Sequence, residues 1–507
     1  MSFASILART RALISLCSLA AASVGAQPPT RAPQAPPSPQ ERLVTAMHGI
    51  SSNVILDWVK ELTSEKFGGR LTGTPGYDSA AAWSVALLRG WGYQPAGDKG
   101  TWYQKFPNPY TLVRPGTELS LHLPLSGGEI MKSYTWEKEF FQGSTSDSGR
   151  VTAEAVYVGY GITAPELGYD DYAGVDVKGK IVVLEPEAPI GPEPDTALFK
   201  KWRPYSFHDY KISNAAKHGA AGMVYDYHIA NPNARFVKGL ILTYVSRVVM
   251  DDLFTGLPVS HRQTLDQIRS ALKPASRPLG KTMTLANNTQ YHPEGIGSNV
   301  IAILPGSDPA LKDEYIVLGA HLDHLGYNHE LMPGAHDNAS GVATLLAAAE
   351  AIARAKVPMK RSVLLLLFGA EEQGVAGSEY YVAHPVVPNA KIKAFLNLES
   401  VGRGERIGVS SGKEYPETYG AMERANTQYV HRAIGAFSNL NLARPRQDAA
   451  HFLWAKIPTV SIGTSGAPPL PFASYHTSKD TWQILTPEIM EDLAQIVFLA
   501  TVDLANR

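Results

Sequence analysis

Hydrophobic positions repeat with different periods in three successive regions of the chain. From residue 41 to about 112, apolar residues recur every three to four positions, as in ILDWVKEL and AAAWSVALLRGWGY, which predicts helices separated by the glycine-rich turn FGGRLTGTPG. From 113 to 280, runs such as AEAVYVGYG and GKIVVLEPEA predict strands, with one helix in KISNAAKHGAAGMVYDY. From about 298 onward, strand-like segments such as EYIVLGAH and RSVLLLLFGA alternate with helix-like ones such as GVATLLAAAEAIARA. This alternation predicts an α/β layer structure around a largely parallel sheet.

The three regions with different hydrophobic patterns are compatible with two domain organisations. In one, residues 41–112 and 281–507 form a single α/β domain that is interrupted by a β-rich insert at 113–280. In the other, three separate domains follow one another. The hydrophobic pattern does not choose between them.

The N-terminus carries the features of a cleaved export signal. Arg9 and Arg11 precede an apolar run, and cleavage is expected after Ala26, which leaves a proline-rich leader at 27–40. The only cysteine, Cys17, lies in the segment that would be removed, so the mature protein has no disulfide option. We expect a secreted or periplasmic protein.

Charge and hydropathy exclude two classes of partner from our expectations. Lysine plus arginine (46) nearly balances aspartate plus glutamate (47), and no basic run is interleaved with aromatic residues, so nucleic acid is not an expected partner. No mature segment holds eighteen uninterrupted apolar residues, so no membrane-spanning helix is expected.

Side chains that can bind a metal follow several of the predicted strands. Placed where apolar runs stop, they are His321, Glu371, Glu372, Glu399 and His476. Because the carboxyl ends of parallel strands meet at one edge of a sheet, we expect these groups to converge. Asp337 precedes the helix predicted to start near Ser340 and joins the set. Mixed nitrogen and oxygen donors favour zinc or a similar divalent ion.

Asp323 stands two residues after His321. If the strand continues, both side chains share one face, and Asp323 accepts the second ring N–H of His321, which is the usual outer support of a metal histidine. A histidine at a polar strand end in solvent is the ordinary alternative, and the co-located carboxylates argue against it.

Glu371 and Glu372 form a pair of adjacent carboxylates between Gly369 and Gly374, where a turn lets both reach one site. Metal-assisted hydrolysis needs two such groups, one to hold the ion and one to take a proton from the attacking water. An acidic first turn of a helix is the commoner explanation of an isolated Glu-Glu pair.

The segment 321–341 contains four of the fifteen histidines of the chain. His324, His329 and His336 lie in predicted loops without a matched partner. We interpret them as surface or supporting residues rather than as metal ligands.

Five ordered motifs carry a family resemblance. HLDHLG, GAHDNASG, FGAEEQGVAGS, NLESVGR and YHTSKDT resemble the zinc-dependent aminopeptidase family that includes vacuolar aminopeptidase Y, bacterial secreted leucyl aminopeptidases and plasma glutamate carboxypeptidase. The resemblance runs from about 298 to the C-terminus and is weaker at GRLTGTPG. Residues 156–184 and 215–227 are similar to the protease-associated domain that many members carry as an insert. The family resemblance implies the zinc exopeptidase fold, which is a three-layer α/β/α structure with a mixed, largely parallel sheet, interrupted by that insert.

The resemblance also implies roles for the candidate residues. Two zinc ions are expected, bridged by a carboxylate and a water. His321 and Glu399 would complete the shell of one ion, Glu372 and His476 that of the other, and Asp337 would bridge them. Glu371 matches the general base and Asp323 the carboxylate behind His321. The bond Asp337–Asn338 matches a peptide bond that is usually cis in the family.

Three positions depart from the family pattern. Glu399 stands where aspartate is most common, so a longer side chain must reach the metal. His336 stands where an acidic or small residue is common. In QDAAHF, Asp448 and Phe452 match a family motif, but Ala449 replaces its histidine, which predicts altered substrate contacts.

The resulting expectation is a secreted exopeptidase that removes N-terminal residues from peptides with a free amine. Carboxypeptidase or dipeptidase action on the same fold is an alternative, because related branches cleave from either end. A single-zinc glutaminyl cyclase and a binding protein that has lost catalysis are further alternatives. His451, Phe452, Tyr475 and Trp482 are candidates for the substrate pocket by proximity to the motifs.

Overall fold

The structure is a computed structural model that describes residues 36–438, 447–466 and 473–507, without the side chains of 124 and 125. Its helices are α1 Pro39–His48, α2 Ser52–Leu62, α3 Pro75–Gly90, α4 Thr196–Trp202, α5 His208–Lys217, α6 Arg247–Phe254, α7 His261–Ala271, α8 Ser340–Ala355, α9 Ala376–Ala383, α10 Pro416–Ala425, α11 Ala449–Trp454 and α12 Pro487–Asn506. Its strands are β1 Gln94–Pro95, β2 Tyr103–Pro107, β3 Tyr110–Leu125, β4 Gly128–Ser133, β5 Phe140–Gln142, β6 Gly149–Tyr157, β7 Thr163–Ala164, β8 Tyr169–Asp170, β9 Ile181–Leu184, β10 Gly222–Tyr225, β11 Ile241–Val245, β12 Arg277–His292, β13 Ile296–Leu304, β14 Tyr315–His321, β15 Tyr327–Asn328, β16 Glu330–Leu331, β17 Ser362–Phe368, β18 Ile392–Leu398, β19 Arg406–Ser410, β20 Ala433–Phe437 and β21 Thr459–Ser465.

The first sheet is mixed, with a parallel centre. Its order in the described part of the chain is β1-β13-β17-β14-β18-β21-β19-β20, and β2 also pairs with β13. The central strands β17, β14, β18 and β21 run parallel, whereas β13 pairs antiparallel with β17, and β19 with β21. The carboxyl ends of the four central strands therefore lie along one edge of the sheet. The predicted mixed, largely parallel sheet is confirmed at its centre, and antiparallel strands flank it.

Helices cover both faces of the first sheet. On one face, alternate residues of the strands pack with α2, α3, α8 and α12, and on the other face the intervening residues pack with α9 and α11. Every residue of β17 is buried, which explains why SVLLLLF reads as a continuous apolar run instead of an alternating one. The three-layer α/β/α expectation is confirmed.

A second sheet is formed by residues 110–292. Its order is β4-β3-β12-β6-β9-β10-β11-β5, and β6, β9, β10 and β11 are parallel neighbours. The strands β1 and β2 precede this sheet in sequence but pair with β13, which follows it. This connectivity supports one interrupted α/β unit, while the boundaries 113–280 and the protease-associated assignment stay predictions.

The N-terminal expectations fall mostly outside the described residues, which begin at 36. The signal segment and most of the leader are thus not tested. Helix α1 begins at Pro39 and is capped by Ser38, whose side chain accepts from the backbone N–H of Glu41 while the Glu41 carboxylate accepts from the Ser38 backbone N–H. Among the described helices, none combines the length and the apolar character that crossing a membrane requires.

Candidate metal centre

The parallel centre of the first sheet brings the predicted ligands together. His321 is the last residue of β14, Glu372 follows β17, and Glu399 follows β18. Ligand atoms of His321, Asp337 and Glu372 all lie within 4.8 Å of one another, and all three side chains are buried. The strand-end argument from the sequence therefore predicted the convergence correctly.

Asp337 lies between two histidine-carboxylate pairs. Its Oδ1 is 3.2 Å from Nε2 of His321, which is also 3.2 Å from Oε1 of Glu399. Its Oδ2 is 3.3 Å from Nε2 of His476, which is 2.9 Å from Oε2 of Glu372. Each oxygen of one carboxylate thus faces a different pair, which is the arrangement of a ligand shared by two cations.

Backbone contacts hold Asp337 in this position. The bond between Asp337 and Asn338 is cis. The carboxylate of Asp480 accepts from the backbone N–H groups of His336, at 2.9 Å, and of Asp337, at 3.1 Å. The side chain of Asn338 donates to the carbonyl of Leu398 at the end of β18. The loop before α8 is consequently tied both to β18 and to the segment that carries His476.

Asp323 turns the two glutamates toward the site. Its carboxylate accepts from the backbone N–H groups of Glu371 and Glu372, both at 3.2 Å. Ala370 just before them has a φ of 56°, so the chain leaves the strand geometry after Phe368. A regular strand would have sent these side chains to opposite faces, and this turn removes that alternation.

The contact between Asp323 and His321 differs from the expected one. Strand β14 ends at His321, so the same-face argument for residues two apart does not apply. Nδ1 of His321 donates to the backbone carbonyl of Asp323 at 3.2 Å, whereas the Asp323 carboxylate is 3.7 Å away, beyond hydrogen-bond range. The ring is therefore oriented by a main-chain oxygen, which leaves Nε2 facing the site.

The buried histidines and carboxylates of the site shift each other's pKa values. Burial raises the pKa of Asp337, but His321 and His476 reverse this and hold it well below its usual value. Burial also opposes ionisation of Glu372, yet His476 brings its pKa down to about 2. Burial lowers the pKa of His476, and Glu372 and Asp337 raise it to about 10. Nε2 of His476 and Oε2 of Glu399 are buried without a hydrogen-bond partner among the described residues. This donor set fits a divalent metal ion.

Glu371 is in a different electrostatic state from Glu372. Burial raises its pKa well above the usual value, and the charges of Glu399 and Glu372 add to this effect, while His321 opposes it. Its side chain lines a cavity of about 330 Å³ in front of the cluster. A carboxyl group beside a cavity can exchange protons with a water or substrate held there.

The wall of this cavity comes from both sheets. Its lining consists of Glu187, His208, Tyr227, Ile229, Asn231, Asn233, Glu371, Glu372, Tyr475 and His476. Of the four pocket candidates from the sequence, Tyr475 is in this lining. Phe452 is not in it, because its ring packs against Phe368 and Phe395 beneath the sheet.

The three histidines of segment 321–341 that were not expected to bind metal differ in their burial. His324 is fully buried and its Nδ1 lies 2.8 Å from Oε1 of Glu372, so it supports a candidate ligand. His336 is buried, and its Nδ1 accepts from the backbone N–H of Gly402 at 3.3 Å. His329 is exposed. No sequence feature separates these three histidines, because their burial depends on how the loop folds.

Sequence reasoning missed Arg70, a fully buried residue next to the metal centre. Its guanidinium donates to four backbone carbonyls, at distances of 2.6 to 2.9 Å, which are those of Leu62, Leu322, Pro333 and Gly334. Burial lowers its pKa to about 10, against the carboxylates of Asp323, Asp480 and Asp337. Arg70 therefore joins the N-terminal helical region to both loops of the site.

Arg70→Met is expected to lower the free energy of unfolding by roughly 3–5 kcal/mol, because buried carbonyls and carboxylates lose their cationic partner. Denaturant titration followed by circular dichroism measures this. Lys99→Met is the matched control, since Lys99 has a positive φ, as Arg70 does, but its side chain is exposed. Equal stabilities of the two variants would contradict the assigned role.

A second group with metal-ligand chemistry lies in the second sheet. Glu185 follows β9, Asp226 follows β10, and His261 begins α7. Nη1 of Arg247 lies 2.8 Å from Nδ1 of His261, so that nitrogen is the acceptor and the ring proton sits on Nε2, 2.6 Å from Oε1 of Glu185. Nη2 of Arg247 is 3.0 Å from Oδ2 of Asp226. Because a guanidinium already supplies the positive charge, we interpret this cluster as a buried ion-pair network.

Comparison with known sequences places the chain among peptidases. The profile described as Peptidase family M28 matches residues 299–501. An aminopeptidase of Pseudomonas aeruginosa is 28% identical over 420 residues, which is 79% of this chain and 68% of that protein. The probable glutamate carboxypeptidase VP8 of Zea mays is 24% identical over 510 residues, which is 88% of this chain and 64% of that protein.

Solved structures share the fold over nearly the whole chain. The aminopeptidase from Aneurinibacillus sp. strain AM-1 aligns with 92% of this chain and 96% of its own, with a TM-score of 0.63 and 20% identity. BSAP, a zinc aminopeptidase from Bacillus subtilis, aligns with 90% of this chain and 96% of its own, with a TM-score of 0.61 and 18% identity. Residues 299–501 are thus similar to Peptidase family M28, and most of the chain aligns with proteins named as aminopeptidases.

Proposed function

We propose that this protein is a zinc-dependent aminopeptidase that removes N-terminal residues from peptides. The observation that carries the proposal is the position of Asp337, whose two oxygens face two separate histidine-carboxylate pairs. A hydrolytic centre with two metal ions needs one ligand of this kind.

The proposal distributes the donor set over two zinc ions. His321 and Glu399 would hold one ion, Glu372 and His476 the other, and Asp337 both. The longer side chain of Glu399 is compatible with this, because its Oε1 already lies 3.2 Å from Nε2 of His321. Zinc bound here would polarise the scissile carbonyl and make water a stronger nucleophile at neutral pH.

Glu371 is the proposed general base. Its place in the cavity wall, next to the candidate ligand Glu372, lets it take a proton from the attacking water and return it to the leaving amine. Asp323 is a proposed positioning residue, since it holds the backbone of both glutamates. Burial of these groups keeps bulk water from competing for the transferred proton.

The preference for a free N-terminus follows from charge. A substrate ammonium entering the cavity would meet the carboxylates of Glu371 and Glu372, and an internal peptide bond offers no such group. The relatives named as aminopeptidases from Pseudomonas aeruginosa and from strain AM-1 support the same choice.

The decisive experiment is a hydrolysis screen of the purified protein against peptides with free, N-blocked and C-blocked termini, with and without a chelator. We expect cleavage of free-amine and C-blocked peptides, loss of activity in chelator, and recovery on adding zinc. Refusal of free-amine peptides by the zinc-loaded protein would reject the aminopeptidase assignment.

Two alternatives are outcomes of the same screen. Cleavage of N-blocked but not C-blocked peptides would indicate a carboxypeptidase, which the name of the Zea mays relative makes worth testing. Release of a cyclised product from an N-terminal glutamine peptide, with one zinc per chain by elemental analysis, would indicate a glutaminyl cyclase.

We further propose that the protein is exported and that its signal segment is cleaved after Ala26. The support is the arginine-flanked apolar run at the start of the chain. N-terminal sequencing of the protein recovered from the periplasm or medium should begin at Gln27, and an intact N-terminus at Met1 would reject this.

A further inference from the structure

The second sheet contacts the segment 473–480, which carries the proposed ligand His476 and is called the site loop below. Nδ1 of His476 donates to the backbone carbonyl of Ala230 at 2.8 Å, and the backbone N–H of Ala230 donates to the carbonyl of His476 at 3.2 Å. Ala230 follows β10 of the second sheet. One hydrogen bond from the ring of His476 and one between main chains thus join the loop to the segment after β10 at the proposed ligand itself.

This pair determines which ring nitrogen of His476 faces the site. A carbonyl oxygen only accepts, so the contact with Ala230 keeps a proton on Nδ1, and Nε2 is the nitrogen that a metal ion would bind in place of a proton. Nε2 is the atom that lies near Asp337 and Glu372. Fixing tautomer and ring orientation from behind is how outer partners support metal histidines.

Glu137 makes a second attachment, two residues further along the loop. Its Oε1 accepts from the backbone N–H of Ser478 at 2.8 Å and from the Ser478 hydroxyl at 2.6 Å. Its Oε2 lies 3.5 Å from Nζ of Lys479. Glu137 is itself held in place, because its backbone N–H donates to the carbonyl of Phe140 in β5.

The carbonyl that holds His476 is also fixed within the second sheet. The next residue, Asn231, is bound through its carbonyl by the hydroxyl of Tyr244 in β11, at 3.1 Å. The side chain of Asn231 is buried and lines the cavity in front of the metal centre. The segment that supports the ligand is thus also a wall of the proposed substrate cavity.

We propose that the second sheet is a working part of the metal centre, and that Glu137 is a positioning residue for the ion held by His476. Without Glu137 the site loop keeps the Ala230 contact but loses its fixed attachment at Ser478, so His476 is held less rigidly. This inference rests on the proposed ligand role of His476. The ion held by His321 and Glu399 has no direct ligand on the site loop and meets the loop only through Asp480, which binds the backbone of Asp337, so it should be weakened less.

The test uses the full-length mature protein loaded with zinc. Glu137→Ala is expected to weaken the binding of one of the two zinc ions by up to about tenfold, the lower end of the effect of removing a direct outer partner, because Glu137 acts on His476 through Ser478. After dialysis against a graded chelator, elemental analysis should find about one zinc per chain in this variant where the wild type keeps two. Glu137→Gln should recover most of the loss, because its amide oxygen still accepts from Ser478.

The controls separate positioning from general destabilisation. Glu129→Ala removes a glutamate of the same sheet whose carboxylate pairs with His122 at 3.0 Å, and it should keep both ions. Thermal unfolding of the metal-free proteins should agree within a few degrees. If Glu137→Ala does not fold, Ser478→Ala removes only the hydroxyl contact and should show the same loss to a smaller extent.

The outcomes also separate this inference from the proposed function. A wild-type protein that binds no zinc overturns the proposed function and the inference with it. A wild type with two zinc ions and a Glu137→Ala variant that holds both equally tightly overturns the inference alone. Failure of Glu137→Gln to recover binding also overturns it, because the accepting oxygen would then not be what matters.

Discussion

Glu371→Gln is expected to lower kcat by roughly 10²–10⁴-fold while the zinc content stays at the wild-type level. Glutamine has the same shape but cannot accept the proton of the attacking water. Glu371 lies outside the two histidine-carboxylate pairs that face Asp337, so its loss should not release metal. Steady-state kinetics on an aminoacyl-arylamide, with elemental analysis of the same sample, measures both quantities.

Glu379→Gln is the matched control for this variant. Glu379 lies in α9, eight residues after Glu371, and is exposed. The activity of the Glu379→Gln variant should therefore remain close to that of the wild type. Near-normal turnover of Glu371→Gln would reject the assignment of the base. Loss of zinc from this variant would instead indicate that Glu371 is a ligand.

Asp337→Ala is expected to reduce zinc from about two to less than one per chain and to abolish measurable turnover. Both histidines lose the carboxylate that they share, at 3.2 Å from His321 and 3.3 Å from His476. The backbone N–H groups that bind Asp480 remain, so the loop keeps part of its support. Elemental analysis after gel filtration measures the zinc, and Glu399→Ala, which leaves the His476 pair intact, should lose one ion only.

Asp57→Ala is the control for an aspartate-to-alanine change outside the site, because the Asp57 side chain lies in α2 and is 69% exposed. It should bind zinc as the wild type does. Retention of two zinc ions by Asp337→Ala would contradict the shared-ligand geometry, and with it the strongest support for a two-ion centre.

Strand-end reasoning worked well for the ligands because it depends on topology alone. Once β14, β17 and β18 are parallel neighbours, their carboxyl ends must lie at one edge, and the residues after them must be close. The position of His321 at the last residue of β14 follows directly from the apolar run before it. The shared position of Asp337 came from the resemblance to the family, since spacing alone does not tell which carboxylate faces both pairs.

Supporting contacts were harder to predict because they join residues far apart in sequence. Arg70 donates to backbone carbonyls of residues more than 250 positions away in the sequence. The pattern of side chains along the chain does not indicate which main-chain oxygens accept hydrogen bonds. Asp323 was expected to orient His321 through its carboxylate, whereas the end of β14 gives that role to its backbone carbonyl. Asp480 lies within the motif YHTSKDT, which was a signal, but its partner loop was not visible.

The sequence by itself determined the α/β class, the strand ends that carry the candidate metal ligands and the family to which those motifs are similar. These properties are local or periodic, so hydrophobic pattern and motif order express them directly. Only the tertiary structure decided that Ala230 and Glu137, in loops next to strands of the second sheet, hold the loop of His476, and that Tyr227 and Asn231 line the cavity. Such contacts depend on how distant segments pack against each other. Packing follows from surface shape and main-chain geometry, and the hydrophobic period of a sequence does not predict these.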